Sequence, residues 1–164
     1  MRAHAVLASP IGGLGVTVDD GMVVGVSFGA RAEPGAAPSA DPTLDAALAE
    51  LAGYFAGQPT AFTVPIRFTR GRPFERAVWE AIAAIPYGQM RSYGEIARAI
   101  GEPGAAQAVG AACGRNPVPV IVACHRVVGA NGTLGGFGGG LSRKRHLLQL
   151  EARVAIENLL DATG

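Results

Sequence analysis

The hydrophobic pattern changes period at Thr69–Pro73, and this change constrains the fold more than any other feature of the sequence. Before that polar, Gly- and Pro-bearing stretch, short β-rich runs dominate. After it, apolar residues recur at helical spacing. The switch predicts an α+β protein with a small sheet carrying a helix first and a mainly helical part second, divided as residues 1–72 and 73–164. A length of 164 residues suits one domain or two small ones.

In the first part, His4–Ala8, Gly15–Asp19 and Met22–Phe28 read as strands, with Asp20-Gly21 as the turn of a hairpin. Arg31–Ala40 reads as a Pro/Gly/Ala loop. Asp41-Pro42 supplies an N-cap and a first-turn proline, Leu44, Leu48, Leu51 and Phe55 give one apolar face, and Gly57 stops the helix. Phe62–Phe68 reads as a further strand. In the second part, Phe74, Val78, Ile82 and Ile85 repeat at helical spacing until Pro86-Tyr87-Gly88. Ser92 and Glu95 form a capping box for a helix over Tyr93–Ile100. A second helix, Ala105–Cys113, follows Gly101-Glu102-Pro103-Gly104 and carries almost only small side chains. Two short helices joined by a tight turn suggest a helix-turn-helix, although ordinary tight packing is the commoner reading of that spacing. Val118–Ala123 reads as a buried extended segment ending at Cys124. Asn131–Gly140 reads as a glycine-rich flexible loop, and Ser142 as the cap of a final helix reaching about Val154.

Composition narrows the function classes. Hydrophobic residues make up 49% and charged residues 16%, which is globular and not disordered. The net charge is +1, carried by 13 Arg and one Lys, so the total does not mark a strongly cationic nucleic-acid binder. The asymmetry is small, net −1 over 1–72 and +2 over 73–164, and a modest basic patch remains compatible with DNA. Ser9-Pro10 interrupts the short apolar run at the N-terminus, which argues against a signal peptide. No stretch approaches about 18 apolar residues, so no membrane span is expected and the default compartment is the cytosol. Two cysteines and three histidines are too few and scattered for a zinc pattern.

Cys124-His125 is the pair with chemical potential, because a thiolate nucleophile needs a base nearby. By the dipeptide alone, the commoner reading is a buried small hydrophobe beside a satisfied loop histidine. On an extended strand the two side chains point to opposite faces, so contact would need a water relay or a local turn. Gly135–Gly140 lacks the Gly-Lys-Ser/Thr of a phosphate loop and suits a mobile loop over a pocket. Cys113 reads as inert and Trp79 as core, while His4 and His146 read as structural or surface residues.

Taken together, Ile85-Pro86-Tyr87-Gly88, Ser92-Tyr93-Gly94-Glu95, Ala108-Val109-Gly110, Asn116-Pro117, Cys124-His125-Arg126-Val127 and Gly136-Phe137-Gly138-Gly139-Gly140-Leu141 occur in order. This series resembles the O6-alkylguanine–DNA alkyltransferases (methylated-DNA–protein-cysteine methyltransferases), densely over residues 73–151. Ser9-Pro10-Ile11-Gly12 and the hairpin after it are similar to that family's N-terminal domain. The resemblance implies a ribonuclease-H-like domain followed by a winged-helix-like one. It further implies direct repair of O6-alkylguanine, and of O4-alkylthymine, in double-stranded DNA. The damaged base would be flipped through a minor-groove contact, and its alkyl group passed irreversibly and once to Cys124.

On this resemblance, Cys124 is the alkyl acceptor, His125 the base acting through a water, and Glu151 the carboxylate orienting it, an arrangement expected to lower the thiol pKa. Asn116 holds the turn before the active-site segment, and Tyr93 protonates the departing guanine. Arg126 ties the active-site segment to its neighbours. Ser92, Ala106, Gln107, Ala108, Gly110 and Arg115 face DNA. Tyr93, Val127, Phe137, Gly138 and Gly139 line the base pocket. No cofactor and no metal are implied, and the expected protein is a cytoplasmic monomer. Three positions depart from the family pattern: Gln107 for an intercalating arginine, Ala123 for a proline, and Phe137 for a tyrosine. Rival readings are a non-catalytic lesion binder, an alkyltransferase for non-DNA donors, a cysteine hydrolase using Cys124, His125 and Glu151, and a winged-helix regulator.

Overall fold

A computed structural model describes residues 1–32, 40–58 and 61–163. The loop expected at Arg31–Ala40 therefore lies largely outside the described residues. The chain forms two compact units, one of residues 1–70 and 117–121, the other of 71–116 and 122–164. The division differs from a single cut after residue 72 because Pro117–Ile121 packs with the first unit. The link is a backbone bond, Val26 N–H to Pro117 O at 3.0 Å.

The first unit holds a three-stranded antiparallel sheet in the order β1 (Arg2–Leu7), β2 (Leu14–Asp19), β3 (Met22–Phe28). Asp20 and Gly21 both have positive φ, as a two-residue hairpin demands. Helix α1 (Pro42–Phe55) begins where Asp41 accepts from the Thr43 and Leu44 amides. Its buried stripe is Leu44, Ala47, Leu51 and Tyr54, so Tyr54 and not Phe55 turns inward. The segment expected as a strand over Phe62–Phe68 makes only an isolated parallel bridge, Ile66 to Val23. Pro65 has no N–H to give a ladder, and its carbonyl accepts from Val23 instead.

The second unit is helical. Helix α2 (Pro73–Ala83) buries Val78, Trp79 and Ile82. The pair α3 (Tyr93–Ala99) and α4 (Ala106–Gly114) has the expected capping box, with Ser92 Oγ accepting the Glu95 amide and Glu95 accepting the Ser92 amide, both at 3.1 Å. Trp79 Nε1–H donates to Ala112 O at 2.8 Å and so fastens α2 to α4. A two-residue strand, β4 (Arg91–Ser92), pairs parallel with β5 (Val127–Val128).

Helix α5 runs over Leu141–Thr163. Ser142 lies inside its first turn instead of capping it, and the helix continues past Val154 because no Gly or Pro interrupts it before Gly164. Among the described residues no helix is long and apolar enough to cross a membrane.

Val118–Ala123 is buried as expected but is not extended. Val120 has φ 71°, a left-handed conformation that a β-branched residue adopts only at a cost of about 1–2 kcal/mol. The chain turns there and then enters a 3-10 turn over Cys124–Arg126. The strand geometry that would have sent Cys124 and His125 to opposite faces is therefore absent.

Candidate active site

Cys124 is 3% exposed and His125 is fully buried. His125 Nε2 lies 2.6 Å from Glu151 Oε2, a residue nearly three turns into α5. Glu151 also accepts from Arg126 Nε (2.8 Å) and Nη2 (3.2 Å) and from the Gly88 amide (3.0 Å). Arg126 in turn donates to Ile85 O at 2.7 Å and lies over the Tyr87 ring. One carboxylate thus joins the 3-10 turn, α5 and the Pro86–Gly88 turn.

Electrostatics fix the protonation states. Burial opposes a charge on Glu151, but the His125 hydrogen bond and the Arg126 guanidinium outweigh it and hold the carboxyl down at about 2. Burial lowers His125 below its ordinary value, against the pull of Glu151, so the imidazole is neutral near pH 7. An ionised Glu151 can only accept, so the imidazole proton sits on Nε2. Nδ1 is then the basic nitrogen.

Asn116 Nδ2 donates to Val122 O at 2.8 Å and closes the base of the 117–121 excursion. Its amide also bonds the Cys124 sulfur in the sense that favours a thiolate. Burial nevertheless dominates and pushes the Cys124 thiol up, with Asn116 and the Lys144 charge pulling the other way. The lowered thiol pKa expected from the Cys-His-Glu arrangement is not met in this buried state, because desolvation of the anion exceeds the sum of its stabilisers. Cys113, the other unbridged thiol, is pushed up to about 12 by burial and by the neighbouring Cys124.

The residue that sequence reasoning missed is Lys144, which is fully buried. Its Nζ donates to Val127 O (2.7 Å), Gly136 O (3.2 Å) and the Tyr93 hydroxyl (3.4 Å). The available signal was its solitude, a single lysine in a chain that otherwise uses arginine. Tyr93 also donates to Gly136 O at 3.4 Å. Burial and the nearby thiols raise the Tyr93 phenol, which therefore keeps its proton. Gly135 has φ 68°, and a Cβ there would collide with the Tyr93 hydroxyl. The glycine loop is thus a strap drawn tight across Tyr93.

Tyr93 also abuts Gly110, where an added Cβ would meet the ring at 3.8 Å. The remaining expected residues spread over the unit. Gln107, Ala108 and Arg115 are exposed, Ala106 and Gly110 are half-buried on α4, and Ser92 caps α3. Val127 is buried, Phe137 and Gly139 are half-buried, and Gly138 is exposed.

These features define an α+β protein in which a buried cysteine shares a 3-10 turn with the His and Arg of a His–Glu–Arg cluster and lies near a lysine-supported tyrosine. The 6-O-methylguanine DNA methyltransferase profiles match it over most of its length, the ribonuclease-like domain over residues 3–68 and the DNA binding domain over 73–153. The chain belongs to this family. A methylated-DNA–protein-cysteine methyltransferase of Mycolicibacterium paratuberculosis is 56% identical over 107 residues, 65% of this chain and 64% of that relative, just under two thirds of its length. The crystal structure of a Mycobacterium tuberculosis O6-methylguanine methyltransferase aligns with TM-score 0.82 at 44% identity, covering 93% of this chain and 94% of that one. A Mycobacterium tuberculosis OGT in complex with DNA aligns with TM-score 0.82 at 43% identity, covering 92% and 93%.

Proposed function

We propose that this protein repairs O6-alkylguanine in double-stranded DNA by transferring the alkyl group to Cys124, once per molecule, in the cytoplasm and without a cofactor. O4-alkylthymine is the expected second substrate. The observation that carries the proposal is the buried His125–Glu151 contact at 2.6 Å, made by the residue that follows the buried Cys124 in one 3-10 turn. It fixes the imidazole tautomer and leaves Nδ1 to take the thiol proton through a water.

The thiolate then attacks the alkyl carbon in line. An S–C bond forms, the C–O6 bond breaks, and the electron pair passes into the guanine. Tyr93 supplies the proton that lets guanine leave as a neutral purine. The phenolate left behind sits 3.4 Å from the Lys144 ammonium, which stabilises it. The thioether has no ready leaving group, so the protein is consumed. Helix α4, with its small exposed residues and Gln107, serves as the groove-facing helix and admits close approach of the backbone.

The test is peptide mass spectrometry after mixing the protein with a duplex bearing one O6-methylguanine. One methyl group on Cys124, absent in Cys124→Ser, is expected. Repeated turnover on an ester or amide substrate instead would make the protein a cysteine hydrolase and overturn the proposal.

A further inference from the structure

Outside the thiol site, Glu75 divides its two carboxylate oxygens between two partners. Oε1 accepts the Arg72 amide at 3.0 Å and closes the first turn of α2, while Oε2 accepts Arg115 Nη1 at 3.2 Å. Arg115 caps the C-terminal end of α4. The Glu75 side chain is 12% exposed and that of Arg115 is 69% exposed. Arg72 is exposed as well and its charge also favours this carboxylate, so two arginines attend one inward-held anion. The contact with Glu75 is the one hydrogen bond of the Arg115 side chain among the described residues. A guanidinium has about five N–H donors in a rigid plane, so most of them remain uncommitted.

A single-point ion pair with one partner in solvent adds little stability. It does restrict a side chain that would otherwise lose rotamer freedom on binding, and a restricted guanidinium meets a phosphate as a ready-made fork. We propose that Glu75 is a positioning residue for DNA binding: it holds one edge of Arg115 so that the other N–H donors meet a strand phosphate at the C-terminal end of α4. This rests on the DNA-repair reading above and adds to it a residue whose negative charge would by itself repel DNA.

The sign of one substitution separates the two effects. Glu75→Gln keeps an acceptor for the Arg72 amide, which a capping box tolerates. Its single carbonyl oxygen cannot also serve Arg115, and its NH₂ group faces the guanidinium instead. If Glu75 only repels phosphate, Glu75→Gln tightens binding. If Glu75 positions Arg115, binding weakens although a negative charge has gone.

The experiment is fluorescence anisotropy of a duplex across a salt series, with wild type, Glu75→Gln, Arg115→Ala, Arg115→Lys and the double variant Glu75→Gln/Arg115→Ala. Expected are a roughly tenfold weaker Kd for Glu75→Gln and for Arg115→Ala, a log Kd–log salt slope smaller by about 1 for each, and no further loss in the double variant. Arg115→Lys keeps the charge but not the fork, and is expected to bind as weakly as Arg115→Ala. Tighter binding by Glu75→Gln, added loss in the double variant, or full affinity in Arg115→Lys would each overturn the inference while leaving the repair reading intact. A wild type with no salt-dependent duplex affinity would overturn both.

Discussion

Each charged side chain of the active site is held in its protonation state by what is buried with it. Glu151 stays ionised because His125 and Arg126 compensate its desolvation, and Tyr93 stays protonated because burial and two thiols oppose its anion. Lys144 is depressed by burial and supported by the thiols, Cys113 first and then Cys124. Replacing Lys144 by Met should therefore leave duplex affinity nearly unchanged and slow alkyl transfer by about 100-fold, the usual cost of losing one preorganised charge stabiliser. Rapid-quench single-turnover rates set beside anisotropy check this, and an unaltered rate would remove Lys144 from the chemistry. Glu151→Gln should be costly in another way. It leaves the Arg126 guanidinium buried without its carboxylate, a loss of about 3 kcal/mol in unfolding free energy by urea titration.

Among the elements, the glycine strap and α4 matter most. Gly135 combines a left-handed backbone with contact against the Tyr93 hydroxyl, so Gly135→Ala meets both strain and collision. The strap should lift away from Tyr93. Cys124, now 3% exposed, should then react faster with a small thiol-alkylating reagent while repair of O6-methylguanine slows. Equal labelling rates for variant and wild type would show that the strap does not cover the thiol. On α4, Gln107 is exposed near the N-terminal end, where a longer cationic side chain has room. Gln107→Arg is expected to bind duplex more tightly and to repair faster, and equal rates for the two proteins would refute this. Glutamine can still wedge and hydrogen-bond, but it has no charge and is shorter than arginine.

For the molecule as a whole, a net charge of +1 means that duplex affinity has to come from local grouping of arginines and not from a general field. Acid stability follows from the same buried carboxylate. Glu151 has a folded value of about 2 against an ordinary 4.5, so the stability it contributes is complete above about 4.5 and is lost as pH falls from there toward 2. Urea midpoints measured between pH 6 and pH 3 should decline in wild type. The decline should be shallower in Glu151→Gln, and parallel curves would deny the carboxylate this role.

Much of this was legible in one dimension. The caps at Asp41 and Ser92, the hairpin at Asp20-Gly21 and the period change near Thr69–Pro73 are local effects, decided by side chains within four residues of the backbone they serve. The order of motifs around Asn116, Cys124 and Glu151 was equally readable, because motif spacing is a property of the chain. Other features depend on residues far apart in sequence. Pro117–Ile121 joins the first unit through Val26, and Val120 accepts a left-handed backbone because packing around it overrides its preference. Lys144 becomes a site residue only when α5 brings it to Val127, Gly136 and Tyr93, and Glu75 meets Arg115 across a separation of 40 residues. The direction of the Cys124 shift belongs to the same class. Sequence names the groups that stabilise a thiolate, but only tertiary burial determines how much solvation that thiolate has lost.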